Sequence, residues 1–196
     1  MGLLDVLTGR RKLAQPAPDR LFAITTAYVT LQTGLQITTR GSAAIVFQSL
    51  ATADFRTIVT DAEEVVRATA TDSGTAVETS EDSYGFSWLV LRLGTAGGSF
   101  DDLVVGLNAV SSSLEAAGYG DRVLCAVFAF ADDRGRPLYL IYNYKRGSFY
   151  PFVPAAGGGE GSRDNERELV LKAQLAAELP VEPELTRWFP LWGIPI

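Results

Sequence analysis

The spacing of hydrophobic and polar residues changes repeatedly along the chain, and each change predicts a new element of secondary structure. Residues 54–70 and about 100–117 have apolar positions every three or four residues with polar positions between them, which predicts two amphipathic helices. Ser99 is followed three residues later by Asp102, a spacing that predicts a capped start for the second helix. Gly118 predicts a left-handed end for the same helix.

Shorter apolar runs bounded by turn residues predict strands. These runs are residues 42–50, 75–82, 86–94, 122–130, 137–145 and 148–152. The polar stretch ADDRGR joins two of them and predicts a hairpin, and apolar residues on both faces of VLCAVFAF predict a central strand covered on both sides. Residues 21–34 are ambiguous, because their apolar spacing permits a helix while their threonines and Val29 favour a strand.

The order of these elements predicts an α+β domain, with an antiparallel sheet and helices packed on it. Helix, strand and strand occur in that order twice, over roughly 52–93 and 99–145. The same pattern is compatible with a secretion-chaperone-like architecture, which belongs to proteins that bind other polypeptides. A further helix is predicted over 166–178, since Asn165 and Glu168 have the spacing of a capping box.

The net charge of −6 and the absence of histidine narrow the candidate functions. An acidic chain is not expected to bind nucleic acid in general. Without histidine there is no Ser-His or Cys-His nucleophile pair, and the commonest zinc ligand is missing. The one cysteine, Cys125, lies in an apolar run and is interpreted as a core thiol, which fits a reducing cytoplasm. We therefore expect no enzyme activity, no cofactor and no metal.

Glycine-rich loops and paired acids are the remaining candidates for chemistry. The loops at 94–103 and 157–168 precede helices, but neither matches a phosphate-binding glycine pattern, and carboxylates in the first helical turns would repel a phosphate. The pairs Asp132-Asp133 and Glu81-Asp82 lie where turns favour Asp. A carboxylate enzyme that uses Asp132 or Asp133 with a divalent ion is the last of three hypotheses for function.

The run YNYKRGSFYPF, residues 142–152, allows two interpretations. The favoured one is the tight end of a β-hairpin, with half-buried tyrosines and two solvated cations. The other is a small surface that stacks on a ligand and binds its anionic group. In this second interpretation the candidate ligand contacts are Tyr142, Tyr144, Lys145, Arg146 and Tyr150.

The two ends of the chain carry the candidate contacts for a partner or a membrane. We divide the chain into an amphipathic segment with its linker, residues 1–18, and a single α+β domain, residues 19–196, with an irregular aromatic tail. The candidate contacts are Leu3, Leu4, Leu7, Arg10, Arg11, Lys12, Trp188, Phe189 and Trp192. The three cations contribute roughly 3 kcal/mol of binding free energy near an anionic bilayer. This is marginal against the conformational entropy that the segment loses when it becomes ordered. Packing of the segment on the domain or on a partner is therefore an equal alternative. The tail aromatics are interpreted first as anchors on the sheet and second as recognition residues. No stretch approaches the length of a transmembrane helix.

Several stretches together resemble a known family. MGLLDVLTGRRK, SYGFSWLVLR, SSSLEAAGYGDRVLCAVFAF, YNYKRGSFYPF and LPVEPELTRWFPLWG are similar to sequences of the PspAB-like family, bacterial proteins named for their association with phage-shock protein A. The resemblance implies a cytoplasmic accessory to the envelope-stress response, in which the coiled-coil protein A polymerises on damaged membrane. It transfers no catalytic residues, because the family has none established.

The residues and the resemblance support two further hypotheses. The first in rank is a non-enzymatic adaptor that binds a phage-shock protein A-type coiled-coil protein, with weak peripheral contact between its N-terminus and the inner face of the cell membrane. The second is a sensor for a small ligand or an anionic lipid head group, contacted through the run at 142–152.

Overall fold

The structure is a computed structural model that describes residues 20–70, 74–82, 84–95, 97–155 and 161–196. Within these residues there are four α-helices and six β-strands. The helices are α1 (Ala23–Leu35), α2 (Ala53–Ala70), α3 (Phe100–Ala116) and α4 (Asn165–Leu175). The strands are β1 (Thr38–Gln48), β2 (Ala76–Glu81), β3 (Phe86–Arg92), β4 (Val123–Ala131), β5 (Pro137–Asn143) and β6 (Ser148–Phe152).

The described strands form one antiparallel sheet in the order β2-β3-β1-β4-β5-β6. Strand β1 lies in the middle, where Ile45 pairs with Leu89 of β3 on one side and with Ala126 of β4 on the other. The two helix–strand–strand units, α2-β2-β3 and α3-β4-β5, therefore place their strand pairs on opposite sides of β1. The predicted α+β fold with an antiparallel sheet is confirmed.

The ambiguous stretch at 21–34 is helical. Ile24, Ala27 and Leu31 of α1 recur at helical spacing and are fully buried against the rest of the core. This apolar stripe outweighs the preference of the intervening threonines for strands, because helix formation in proteins depends more on packing than on propensity.

Helices α1, α2 and α3 pack on one face of the sheet, which we call the helix side. Phe55 of α2 and Leu107 of α3 join Ile45 of β1 in a single buried cluster. The predicted start of α3 is confirmed: the Ser99 side chain accepts the N–H of Asp102, and the Asp102 carboxylate accepts the N–H of Ser99 at 2.7 Å.

The start of α4 differs in detail from the prediction. The capping residue is Asp164 and not the predicted Asn165, since the Asp164 carboxylate accepts the N–H of Arg167 at 3.0 Å. Glu168 does not close a capping box; it is 2% exposed and accepts the N–H of Val153 at 2.9 Å. Two neighbouring residues that both favour caps cannot be ranked from spacing alone.

The opposite face of the sheet, which we call the tail side, is covered by residues 180–196, from which Trp188, Leu191 and Trp192 pack on it. Trp188 stacks on Tyr150 of β6 with ring centroids 6.3 Å apart. The same segment closes the edge of β6, because Phe149 donates its N–H to the Pro180 carbonyl and accepts the N–H of Glu182, both at 2.8 Å. The two-sided burial of β4 is therefore confirmed.

Candidate binding cleft

A cleft of about 440 Å³ opens on the tail side, between the turn that joins β2 to β3 and the C-terminal tail. We call it the aromatic cleft. Its two walls are formed by Tyr84, Phe86 and Trp88 on one side and Phe189, Leu191 and Trp192 on the other. The lining is mostly apolar and aromatic, which is the composition expected of a surface that binds apolar groups.

The first wall is held by the carboxylate of Asp82. It accepts the N–H groups of Tyr84 and Phe86 at 2.9 and 3.0 Å and the indole N–H of Trp88 at 2.9 Å. Burial opposes ionisation, but these hydrogen bonds outweigh it and lower the pKa of Asp82. Asp82 is therefore a fixed, ionised anchor of the turn, and Tyr84 at its tip is 75% exposed.

The second wall is held by Trp188. Its side chain is 4% exposed, and its indole N–H donates to the Glu182 carbonyl at 3.0 Å. The Tyr150 hydroxyl donates to the backbone carbonyl of Phe189 at 3.1 Å. The buried Trp188 before it and the Tyr150 hydroxyl on its own carbonyl thus fix the backbone of Phe189, while its ring is 62% exposed. Of the predicted tail residues, Trp188 and Trp192 pack on the sheet and Phe189 projects into solvent.

The floor of the cleft includes Cys125 of β4, which is 8% exposed. Burial raises the pKa of the Cys125 thiol to about 12, so the group is a neutral, apolar part of the surface near neutral pH. The prediction that this cysteine is a core thiol is confirmed.

The five candidate ligand contacts at 142–152 are not brought together. Tyr142 and Tyr144 are buried on the helix side, and Tyr150 is buried on the tail side. Lys145 and Arg146 are exposed in the turn between β5 and β6, and Arg146 Nε lies 3.7 Å from a Glu182 carboxylate oxygen. The hairpin is confirmed, but its tyrosines are buried and not half-buried as predicted. The ligand site stays a prediction, and a ligand there would meet two cations and no exposed tyrosine ring.

Asp132, the candidate acid, is occupied by structural contacts. Its carboxylate accepts the N–H groups of Arg134 and Arg136 at 3.0 and 2.8 Å and lies 2.8 Å from the guanidinium groups of Arg136 and Arg167. Asp133 beside it is exposed. In the described ranges, no group of three or more His, Cys, Asp or Glu residues is arranged to hold a metal ion.

The N-terminal candidate contacts, Leu3, Leu4, Leu7, Arg10, Arg11 and Lys12, lie outside the described residues, so their role stays a prediction. Within the part of the chain that the structure describes, no helix has both the length and the apolar content needed to cross a bilayer.

The first wall of the cleft is not among the sites predicted from the sequence. Tyr84 is predicted there only as part of a turn, although a large aromatic residue at a turn tip is unusual where polar residues are the rule. Phe86 and Trp88 are two residues apart in a strand and so share a face, which is the second available signal. Because Phe86 and Trp88 are far from the tail residues in sequence, their spacing does not predict the cleft between them.

The described residues thus form an α+β domain whose own C-terminal tail covers one sheet face and leaves an aromatic cleft beside it. A family model described as PspAB, PspA associated protein B, matches residues 1–196, the whole chain. The chain therefore belongs to this family, as the resemblance implied, and the family's name indicates association with PspA. No curated protein and no solved structure matches the chain.

Proposed function

We propose that this protein is a non-enzymatic adaptor that binds phage-shock protein A in the cytoplasm, at the inner face of the membrane, during the envelope-stress response. The family name supports the identity of the partner. The observation that carries the protein-binding role is the pair of aromatic rings at the rim of the aromatic cleft, since Tyr84 is 75% and Phe189 is 62% exposed although the backbone of each is held by hydrogen bonds.

Rings presented in this way suit binding for two reasons. Exposed aromatic side chains bury a large apolar area on association and are frequent among the residues that dominate interface energies. Because Asp82 and Tyr150 already fix the backbone beneath them, little conformational entropy remains to be lost when a partner binds. A coiled-coil protein offers a matching surface, namely a helix face with apolar side chains at spacings of three and four residues.

The test is a titration of phage-shock protein A from the same cell with the purified full chain, followed by calorimetry. We expect Tyr84→Ser and Phe189→Ser each to weaken binding by about tenfold or more, which corresponds to roughly 1.4 kcal/mol. Val105→Ser and Leu185→Ser are matched controls, because these side chains are 55% and 49% exposed and lie outside the cleft lining. They should leave the affinity unchanged.

Comparison with residues 13–196 separates the cleft from the N-terminal segment. Binding that survives the truncation and is lost in the cleft variants supports the proposal. Binding that is lost only on truncation would assign the contact to the first twelve residues and show the cleft assignment to be wrong. No binding by any form would refute the direct adaptor role, and a thermal-shift screen of small ligands would then test the sensor hypothesis.

A further inference from the structure

A second groove lies on the helix side, between α2 and the outer strands β2 and β3. Its volume is about 480 Å³, and we call it the helix-side groove. Phe47 and Phe55 form a buried floor, with the half-buried side chains of Leu50 and Val59 beside them. The groove therefore offers apolar surface that the described part of the chain leaves open.

The walls of this groove carry two carboxylates and one cation. Glu63 of α2 and Glu81 of β2 line it together with Arg56 of α2. The Glu63 side chain is only 14% exposed, and its ion pair with Arg67 is long, 3.5 Å, to a guanidinium that is 56% exposed. Elements α2 and β2 together carry six acidic and two basic residues, which is −4 of the chain's net −6. A carboxylate largely removed from water favours a nearby cation.

We propose that the helix-side groove binds the N-terminal segment of the same chain. Residues 1–12 contain one acidic and three basic side chains, so their charge is opposite to that of α2 and β2. Leu3, Leu4 and Leu7 supply the apolar contacts for the floor, and the cluster Arg10-Arg11-Lys12 supplies the cations for Glu63 and Glu81. A single short segment thus has both chemical properties that the groove requires.

The connection of the chain favours this groove over the aromatic cleft. The first described residue is Arg20, and Leu21 next to it is buried in the same cluster as Phe55. The segment therefore starts on the helix side and need not pass around the sheet. Residues 13–19 can span up to about 25 Å, so residues 1–12 need not lie beside Leu21.

This inference goes beyond the proposed function and does not depend on it, since no second protein takes part. A tether of this length gives an effective concentration in the millimolar range, so weak contacts suffice to keep the segment docked. While docked, the leucines would be withheld from a membrane or a partner. Added salt should weaken the docking, because part of its free energy comes from charge pairs.

The experiment uses the full-length, isotope-labelled chain with Thr8→Cys carrying a nitroxide. Cys125 is buried, so the introduced thiol is the reactive one under native conditions. We expect the amide signals of Leu50, Val59 and Ser80, which line the groove, to lose most of their intensity. Signals from β5 and α4, beyond β4 in the sheet or packed beside β6, should be retained.

A charge exchange tests whether the groove carboxylates bind the cations of the segment. The double variant Glu63→Lys with Glu81→Lys should abolish the signal loss, and adding Arg10→Glu with Arg11→Glu should restore it. Asp61→Lys with Glu64→Lys is the matched control, because it makes the same charge change at exposed positions of α2 outside the groove lining. Unchanged signals elsewhere in the spectrum show that each variant is folded.

Each contrary result is decisive. Retained signals in the full-length chain, or signal loss that survives the Glu63 and Glu81 exchange, would overturn the proposal. A mixture of nitroxide-bearing chains without isotope and isotope-labelled chains without nitroxide identifies the remaining occupant. Signal loss in that mixture would assign the groove to the segment of a second copy, and the intramolecular form would be wrong.

Discussion

Arg163 and Glu168 form a two-point contact in which Arg163 Nε donates to Oε1 at 3.0 Å and Arg163 Nη2 lies 2.8 Å from Oε2. Their side chains are 18% and 2% exposed. Glu168 also accepts the N–H of Val153, and Arg163 Nη1 donates to the Trp188 carbonyl at 2.7 Å. One ion pair therefore connects α4, the end of β6 and the tail residue that precedes Phe189.

We expect Glu168→Gln to lower the free energy of unfolding by about 3 kcal/mol, because it leaves the largely buried Arg163 without its counter-charge. Urea denaturation measures the change. Glu166→Gln is the matched control, since Glu166 is exposed in the first turn of the same helix and its loss should cost less than about 1 kcal/mol. Equal losses in both variants would contradict the role assigned to Glu168.

The environment of Asp132 predicts that the free energy of unfolding depends on pH. Burial alone would raise the pKa of Asp132, but hydrogen bonds from the N–H and guanidinium of Arg136, the charge of Arg167 and the N–H of Arg134 hold it at about 2, below the ordinary 3.8. The folded state thus favours the ionised form. Its contribution to stability is complete above about pH 5 and is lost as the pH falls toward 2.

The variant Asp132→Asn should lose about 2 kcal/mol of stability near neutral pH, because Arg167, only 17% exposed, then lacks its partner. The difference between this variant and the parent chain should shrink as the pH falls from about 5 to about 2. Asp133→Asn, at an exposed position, should show a small and pH-independent effect. Urea titrations over this pH range measure both, and a constant difference for Asp132→Asn would show that its pKa is not lowered.

Regular elements were predictable here because local sequence determines them. The periodicity around Leu107 and the cap at Ser99 each involve residues within a few positions of one another, and both are confirmed. Exposure was less predictable, since Val65 lies on the apolar stripe of α2 and is nevertheless 49% exposed. A stripe specifies a face of the helix, whereas the neighbouring elements decide how much of that face is covered.

The aromatic cleft was not predictable for a different reason. It needs the β2–β3 turn near Tyr84 and the tail near Phe189 to meet across the sheet. Strand order and the face that the tail covers determine this meeting, and neither leaves a periodic signal in the sequence. The tail aromatics are predictable as anchors or contacts, but which of them is buried depends on tertiary structure.

Replacement by alanine should change the stability in opposite directions at two glycines. Gly118 has φ +83°, and a Cβ there would meet open space, so Gly118→Ala should cost about 1 kcal/mol through backbone strain alone. Gly34 lies within α1, where a Cβ would be 3.9 Å from Thr30 Cγ2, an ordinary contact. Gly34→Ala should therefore stabilise the chain by roughly 0.5 kcal/mol. Thermal unfolding of both variants measures the signs, and destabilisation by both would show that α1 has no room for a side chain at position 34.

The thiol of Cys125 reports on the floor of the aromatic cleft. Because burial raises its pKa from the ordinary 9.0 to about 12, its thiolate fraction at pH 8 should be roughly a thousandfold below that of an exposed cysteine. We expect a disulfide reagent such as dithionitrobenzoate to react very slowly with the folded chain and rapidly in urea. The rate for the folded chain should keep rising between about pH 8 and pH 10, and a plateau near pH 9 would show that the thiol is exposed. Trp192→Ala, which removes a ring from the cleft wall, should accelerate the reaction, because access to the floor and hydration of the thiol both increase.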